Sequence, residues 1–100
     1  MIRHIVMFKI REFNTPEEKK NAIEFVSNKL LSLKKIIPFI REFETGINIS
    51  SDESAFDFVL NSTFESNADL ISYKVHPDHQ AFMHFNKDYT VKKAVIDYEY

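Results

Sequence analysis

The sequence predicts an α+β fold in which a four-stranded antiparallel sheet carries its helices on one face. Four segments alternate between apolar and polar residues as strands do, and two segments repeat apolar residues at helical spacing. Prolines and short polar runs separate these segments. At 100 residues the chain has room for one hydrophobic core. We therefore expect one domain spanning residues 1–100.

The first strand and the first helix have clear signals. Alternation runs from Met1 to Ile10, with apolar residues on both faces. Thr15 is a predicted N-cap, because Pro16 and two glutamates follow it in what would be the first helical turn. Apolar residues then recur at three- and four-residue steps through residues 19–37, which indicates an amphipathic helix. Pro38 should end it.

The middle of the chain predicts two strands joined by a polar turn. The second strand covers residues 39–49, and Gly46 within it indicates a bulge or bend. The third strand covers residues 55–64, with its phenylalanines on one face. Between them lies the run from Ser50 to Ser54, whose composition is typical of a turn.

The last third predicts an interrupted helix and a closing strand. Ser66 is the predicted N-cap, and Pro77 interrupts the helix and restarts it with His76 as a second cap. The fourth strand covers residues 90–100. The resulting order, β-α-β-β-α-β, is the split arrangement of ferredoxin-like domains, which places both helices on one face of the sheet.

The sheet face away from the helices should also be apolar. We assign to it Ile5, Met7, Val59, Val91 and Val95. An exposed apolar patch of this kind usually marks an interface, and two-fold pairing of identical chains is its commonest form. We expect a homodimer.

Composition excludes several classes of partner. The formal charge is −2 with scattered lysines, so no basic patch predicts nucleic-acid binding. No apolar run approaches the roughly 20 residues of a membrane span. The chain has no Cys, which fits a cytoplasmic location. No motif calls for a cofactor, and a metal on His76 and His79 with Asp57 or Glu65 is a weak alternative.

The chain resembles the stress-responsive α/β-barrel (Dabb) family. The resemblance covers nearly the whole chain and is most specific around the second helix. It is carried by His4-Ile5-Val6-Met7-Phe8-Lys9, Thr63-Phe64-Glu65-Ser66, Ala68-Asp69-Leu70, Tyr73, His76-Pro77-Asp78-His79-Gln80-Ala81-Phe82 and Val95-Ile96-Asp97-Tyr98-Glu99.

The resemblance implies a dimeric α+β barrel with a pocket between each sheet and its helices. One plant member of the family closes a linear tetraketide thioester by aldol condensation, using a His and a Tyr that align with His79 and Tyr73. His4 matches a first-strand His of that cyclase. Phe58 and Leu30 stand where it has a pocket His and a Tyr, so the surroundings of the pair become apolar here.

The sharpest chemical hypothesis is a pair formed by Tyr73 and His79 across the Pro77 break. His79 would be the general base and Tyr73 the group that orients it, with His4 as a binding or polarising residue. Phe82 would join Phe58 and Leu30 in an apolar lining. The simpler interpretation is that Tyr73 packs under the helix and His79 bonds to backbone.

Three functions remain open at this stage. The first is a dimeric protein that binds a hydrophobic, carbonyl-bearing small molecule, with or without acid-base chemistry. The second is a non-catalytic stress or assembly protein whose oligomer is itself the function. The third is a relative of the ferredoxin-like monooxygenases. A cavity that joins His4, Tyr73 and His79 would favour the first.

Overall fold

The computed structural model describes residues 1–100 and has the predicted order of elements. The elements are β1 (Ile2–Ile10), α1 (Pro16–Leu31), α2 (Leu33–Ile36), β2 (Glu42–Ile47), β3 (Phe58–Phe64), α3 (Asn67–Val75), α4 (Pro77–Asn86) and β4 (Thr90–Glu99). The four strands form one antiparallel sheet in the order β2-β3-β1-β4. The α+β class and the ferredoxin-like topology are confirmed.

The first helical region begins where the sequence predicts but is divided near its end. The hydroxyl of Thr15 accepts a hydrogen bond from the backbone N–H of Glu18 at 3.1 Å, so the predicted N-cap is confirmed. The predicted single helix separates into α1 and α2 at Ser32. The Ser32 hydroxyl donates to the carbonyl of Lys29 at 2.6 Å, a local bond that commonly bends helices.

The second helical region forms two helices that meet at Pro77. Ser66 caps α3 by accepting from the N–H of Asp69 at 3.2 Å. Nδ1 of His76 caps α4 by accepting from the N–H of Asp78 at 3.1 Å. His76 has an extended backbone, the conformation that a residue before proline prefers. Both predicted caps are confirmed, and the break turns α4 relative to α3.

The strand β2 is shorter and more regular than predicted. It begins at Glu42, and Gly46 pairs in register with Val59, so the predicted bulge is wrong. A Cβ at Gly46 would meet the side chain of Val59 at an ordinary 3.4 Å. The irregularity of the sheet lies instead between β1 and β4, where the register shifts between Lys9 and Ile10.

The register of β4 corrects one assignment of faces. Val95 pairs with Val6 and Asp97 pairs with His4, and both partners on β1 are buried on the helix side. Val95 therefore points towards the helices, not to the opposite face as predicted. The error arose because β4 is apolar on both faces, so its alternation alone does not say which face is inside.

The two faces of the sheet have different surroundings. The helix side holds the main core, to which β1, β3 and the helices contribute buried residues and against which Phe43 of β2 packs. The other face, here called the open face, carries Ile5, Met7, Val59, Ala94 and Ile96 in adjacent rows. Ile96 is 58% exposed and Met7 is 39% exposed. This apolar face is therefore uncovered in a single chain.

None of the helices has both the length and the apolar composition that a membrane crossing requires.

Candidate functional site

A cavity of about 300 Å³ lies between the helix side of the sheet and the α3–α4 junction. Its wall is mostly apolar, and its polar groups come from β1, α3, α4 and β4. The lining residues are His4, Val6, Phe8, Leu30, Leu60, Tyr73, Lys74, His79, Gln80, Phe82, Met83, Lys93 and Val95. An apolar wall with a few convergent polar groups is typical of small-molecule sites.

A larger groove on the open face is a weaker candidate. It encloses about 550 Å³ near Met7 and Phe56, and its only polar side chains are those of Asn48 and Ser54. None of these groups titrates near neutral pH. The groove therefore offers apolar contact area without the means for acid-base chemistry.

Tyr73 lies between two histidines in the cavity. Its ring centroid is 4.5 Å from that of His79 and 6.0 Å from that of His4, and both contacts are edge to face. The ring itself is buried, with 1% of the residue exposed. The turn at Pro77 places His79 on α4 against Tyr73 on α3, so the structure brings the predicted pair together.

The Tyr73 phenol is available to a ligand. It makes no hydrogen bond within the protein, and it is not bonded to His79, so the predicted bond of this pair is replaced by ring contact. Burial raises the pKa of Tyr73 well above its usual value. The phenol therefore stays protonated and can donate to an oxygen atom in the cavity.

His79 is a neutral imidazole in an apolar setting. Burial lowers its pKa to about 4, although the nearby carbonyl of Lys74 acts in the opposite direction. That carbonyl already accepts from Nε2 of Gln80 at 2.7 Å, and Nδ1 of His79 is buried without a hydrogen-bond partner. The carbonyl of Lys74 is therefore the backbone group that the simpler interpretation pairs with His79.

His4 sits in a charged network that the sequence did not predict. Its Nδ1 is hydrogen-bonded to Oδ1 of Asp97, and Oδ2 of Asp97 is 3.3 Å from Nζ of Lys74. Burial lowers the pKa of His4 and outweighs the raising effect of Asp97. Partial burial raises the pKa of Asp97, but its bonds to His4 and Lys74 outweigh this and lower it. The pair is therefore a neutral imidazole beside an ionised carboxylate.

The predicted apolar lining is present in part. Leu30 and Phe82 both line the cavity. Phe58 does not. Its ring stacks on Phe8 at a centroid distance of 4.5 Å and an angle of 8°, so that Phe8 forms the wall and Phe58 lies behind it.

Sequence reasoning missed eight residues that line the cavity and one that contacts a lining residue. The lining residues are Val6, Phe8, Leu60, Lys74, Gln80, Met83, Lys93 and Val95, and Asp97 is hydrogen-bonded to His4. The available signal was Asp97, a carboxylate in an otherwise apolar strand segment, because a strand-interior charge needs a partner. Pairing β4 beside β1 would have placed it opposite His4.

The side chains considered for a metal are occupied elsewhere. His76 caps α4, and Asp57 accepts from the N–H of Ile10 at 2.7 Å. Glu65 pairs with Arg41 at 2.9 Å. The structure assembles no group of three His, Asp or Glu side chains suited to a metal ion.

The buried imidazoles should make stability depend on pH. Because the folded pKa of His79 is about 4 against 6.5 for a free imidazole, the unfolded chain binds more protons between these values. The free energy of unfolding should fall as the pH is lowered from 6.5 to 4. After a discount for partial exposure, the contribution of His79 is about 1–2 kcal/mol. Urea denaturation of wild type and His79→Gln across this range measures it.

The difference between the two proteins isolates the His79 effect. His4 and the carboxylates titrate in both, so their contributions cancel to first order. If wild type and His79→Gln lose stability in parallel between pH 6.5 and 4, the imidazole of His79 is not held neutral by burial.

Comparison with known proteins assigns the family. The family model for the stress responsive A/B barrel domain matches residues 2–100. The chain belongs to this family. The predicted Dabb resemblance is thereby confirmed over nearly its whole length, and the family description concerns the domain, not a reaction.

Relatives by sequence include plant and bacterial proteins. The chain is 33% identical over 79 residues to a stress-response A/B barrel domain-containing protein of Arabidopsis thaliana, covering 79% of the chain and 28% of that protein. It spans about a third of the length of such plant relatives. An uncharacterized Streptomyces coelicolor protein is 30% identical over the full length of both chains. Olivetolic acid cyclase of Cannabis sativa is 23% identical, covering 97% and 94%.

Solved structures share the fold of this Dabb domain. A dimeric protein of unknown function from Bacteroides fragilis has a TM-score of 0.85 and 29% identity, covering 99% of this chain and 95% of that one. Hydroxynitrile lyase from Passiflora edulis has a TM-score of 0.80 and 23% identity, covering 97% and 90%. At that identity the lyase shows the fold alone.

Proposed function

We propose that the chain is a homodimer that binds a small, mainly apolar carbonyl compound in the cavity and transfers a proton to or from it. The observation that carries the proposal is the position of Tyr73 between His4 and His79, with its phenol free of any protein partner. One hydrogen-bond donor and two neutral imidazoles therefore surround a single apolar space.

The chemistry follows from these protonation states. A neutral imidazole can take a proton from a hydroxyl group or from a carbon next to a carbonyl. The Tyr73 phenol can donate to the carbonyl oxygen as negative charge develops on it, and such donors contribute most in dry sites. The apolar walls formed by Phe8, Leu60 and Phe82 would exclude water from this step.

The size of the cavity narrows the class of ligand. A volume of about 300 Å³ lies at the lower end of small-molecule sites, which span about 300–1,000 Å³. It suits a molecule with one ring or a short chain. A relative named as a cyclase and a fold neighbour named as a hydroxynitrile lyase are consistent with carbonyl chemistry in such a pocket.

Binding and turnover of an aromatic aldehyde and its hydroxynitrile test the proposal. We expect benzaldehyde to bind to wild type and Val95→Trp to abolish binding, because Val95 lines the cavity. Tyr73→Phe should lower turnover of mandelonitrile about 100-fold, the usual loss for one donor to a developing oxyanion. Isothermal calorimetry and cyanide release are the measurements.

A substitution on the same strand provides the control. Val91 lies at the β4 bulge, 67% exposed and outside the cavity, so Val91→Trp should bind as wild type does. If wild type neither binds nor turns over these compounds or a short β-keto thioester, the acid-base proposal fails. The oligomer itself would then be the better candidate for the function.

The homodimer is supported by the open face. Beside its apolar rows, Arg3 lies over the ring of Tyr100 at 4.4 Å and reaches the hydroxyl of Tyr98 at 3.5 Å. Arg and Tyr are enriched in protein interfaces. Structure neighbours described as dimeric, at TM-scores of 0.81 and 0.85, are consistent with pairing of two chains.

A further inference from the structure

We infer that His4 is the base of the cavity and that Asp97 is a positioning residue that holds its imidazole in the active tautomer. This inference rests on the proposed function and deepens it, because it assigns the proton transfer to one of two candidate histidines. The sequence favoured His79 for this role.

The sheet register creates the contact between the two residues. His4 on β1 and Asp97 on β4 are direct cross-strand partners, so their side chains project to the same face. The strand β1 is further fixed at this point, since the Ser62 hydroxyl donates to the carbonyl of His4 at 2.9 Å in a buried bond. The backbone of His4 is therefore held opposite Asp97.

The contact determines where the proton of the imidazole resides. An ionised carboxylate only accepts hydrogen bonds, so Nδ1 of His4 must carry the proton that it donates to Oδ1 of Asp97. In a neutral ring this leaves the lone pair on Nε2. Nε2 of His4 has no hydrogen-bond partner in the protein, and it is not one of the fully buried side-chain atoms that lack a partner. The ring of His4 lines the cavity.

Lys74 reinforces the ionised state that Asp97 already has at neutral pH. Its Nζ lies 3.3 Å from Oδ2 of Asp97, which leaves the other oxygen for His4. The ammonium also opposes protonation of His4 through its charge. The carboxylate of Asp97, paired with Lys74, therefore orients the imidazole of His4 while that imidazole stays neutral.

His79 lacks each of these features. Its Nδ1 is buried and unpartnered, and the only charges that act on it are positive: Lys74, Lys93 and His4 when protonated. An imidazolium at His79 would be a buried charge without a counter-ion, whereas one at His4 would lie against Asp97. His79 is better suited to remain neutral beside Tyr73.

The proton-transfer step with a hydroxynitrile illustrates the assignment. Nε2 of His4 takes the hydroxyl proton, and the O–H electron pair forms the new C=O bond. The C–CN bond breaks, and cyanide leaves with the electron pair of the C–CN bond. The imidazolium, stabilised by Asp97, then returns the proton to cyanide, giving the aldehyde and hydrogen cyanide.

Nitrogen-15 NMR of the free protein tests the tautomer without a substrate. Long-range ¹H–¹⁵N correlation at pH 7 should show His4 as the Nδ1–H tautomer in wild type. In Asp97→Asn the amide can donate to Nδ1, so the Nε2–H form should become the major one. In the control Lys74→Met the tautomer should be unchanged, and the pKa of His4 should rise because a repelling charge is lost. A protonated His4, an Nε2–H tautomer in wild type, or no response to Asp97→Asn overturns the inference.

The kinetic readout separates positioning from binding. With mandelonitrile, Asp97→Asn should lower kcat about 100-fold or more with KM within about threefold, the pattern of a lost transition-state interaction. His79→Gln should retain a larger kcat than His4→Gln, and the reverse order overturns the assignment. If wild type shows no turnover, the proposed function fails while the NMR result still decides the tautomer.

Discussion

The variant Ile96→Glu should be monomeric under conditions in which wild type is dimeric. Ile96 lies on the open face of the edge strand β4, next to Ile5 on β1, and is 58% exposed in a single chain. In a two-fold dimer each substitution occurs twice, so two carboxylates would be buried without partners. An unpaired buried charge costs about 3–5 kcal/mol, which corresponds to a loss in dimer affinity of at least ~100-fold.

Sedimentation velocity measures this directly, because the monomer mass is 11.8 kDa and the dimer has twice that mass. Ile71→Glu is the matched control: Ile71 is 52% exposed on α3, away from the open face, and its substitution should leave the dimer intact. Circular dichroism establishes whether the Ile96→Glu monomer stays folded. A dimer of wild-type affinity in Ile96→Glu would exclude the open face as the interface.

The variant Phe64→Ala should lose much of the stability of the fold. Phe64 is fully buried at the end of β3, where its ring packs 5.1 Å from that of Tyr73 and 6.4 Å from that of His4. Truncation of a buried Phe to Ala typically costs about 3–5 kcal/mol, through lost burial and the cavity left behind. The free energy of unfolding of a typical domain is about 5–15 kcal/mol in total.

Phe25→Ala is the matched control for this loss. Phe25 is 53% exposed on α1 and makes an edge contact with Phe85 at 5.7 Å, so its removal should cost no more than about 1.5 kcal/mol. Chemical denaturation at one protein concentration compares the two, since a dimer makes stability concentration-dependent. Equal losses in both variants would mean that Phe64 is not a core anchor.

The fold was largely predictable because the residues that begin its helices act through local hydrogen bonds. Thr15, Ser66 and His76 cap helices through bonds to residues two or three positions ahead, so their sequence context alone identifies them. Local sequence gave a wrong prediction at Gly46. A glycine within a strand usually indicates an irregularity, but Gly46 pairs in regular register with Val59. Its effect is decided by the neighbouring strand, which local sequence does not specify.

The central pair of the site was predictable because its two residues lie close in sequence. Tyr73 and His79 are six positions apart across a proline, and the structure brings them together. Asp97 is 93 positions from His4, so their pairing depends on which strands are neighbours and in what register. Phe58 failed as a lining residue because Phe8 covers it, a matter of packing depth that alternation does not report.

The strand β4 serves two surfaces at once. Val95 and Asp97 face the helix side of the sheet, while Ala94 and Ile96 belong to the open face. A slip of one residue between β4 and β1 would exchange these sets, removing the carboxylate from His4 and placing a charge on the proposed interface. The proposed base and the proposed dimer therefore depend on the same alignment of β4 with β1. A chain with the wrong register would lose the carboxylate beside His4 and the apolar interface together.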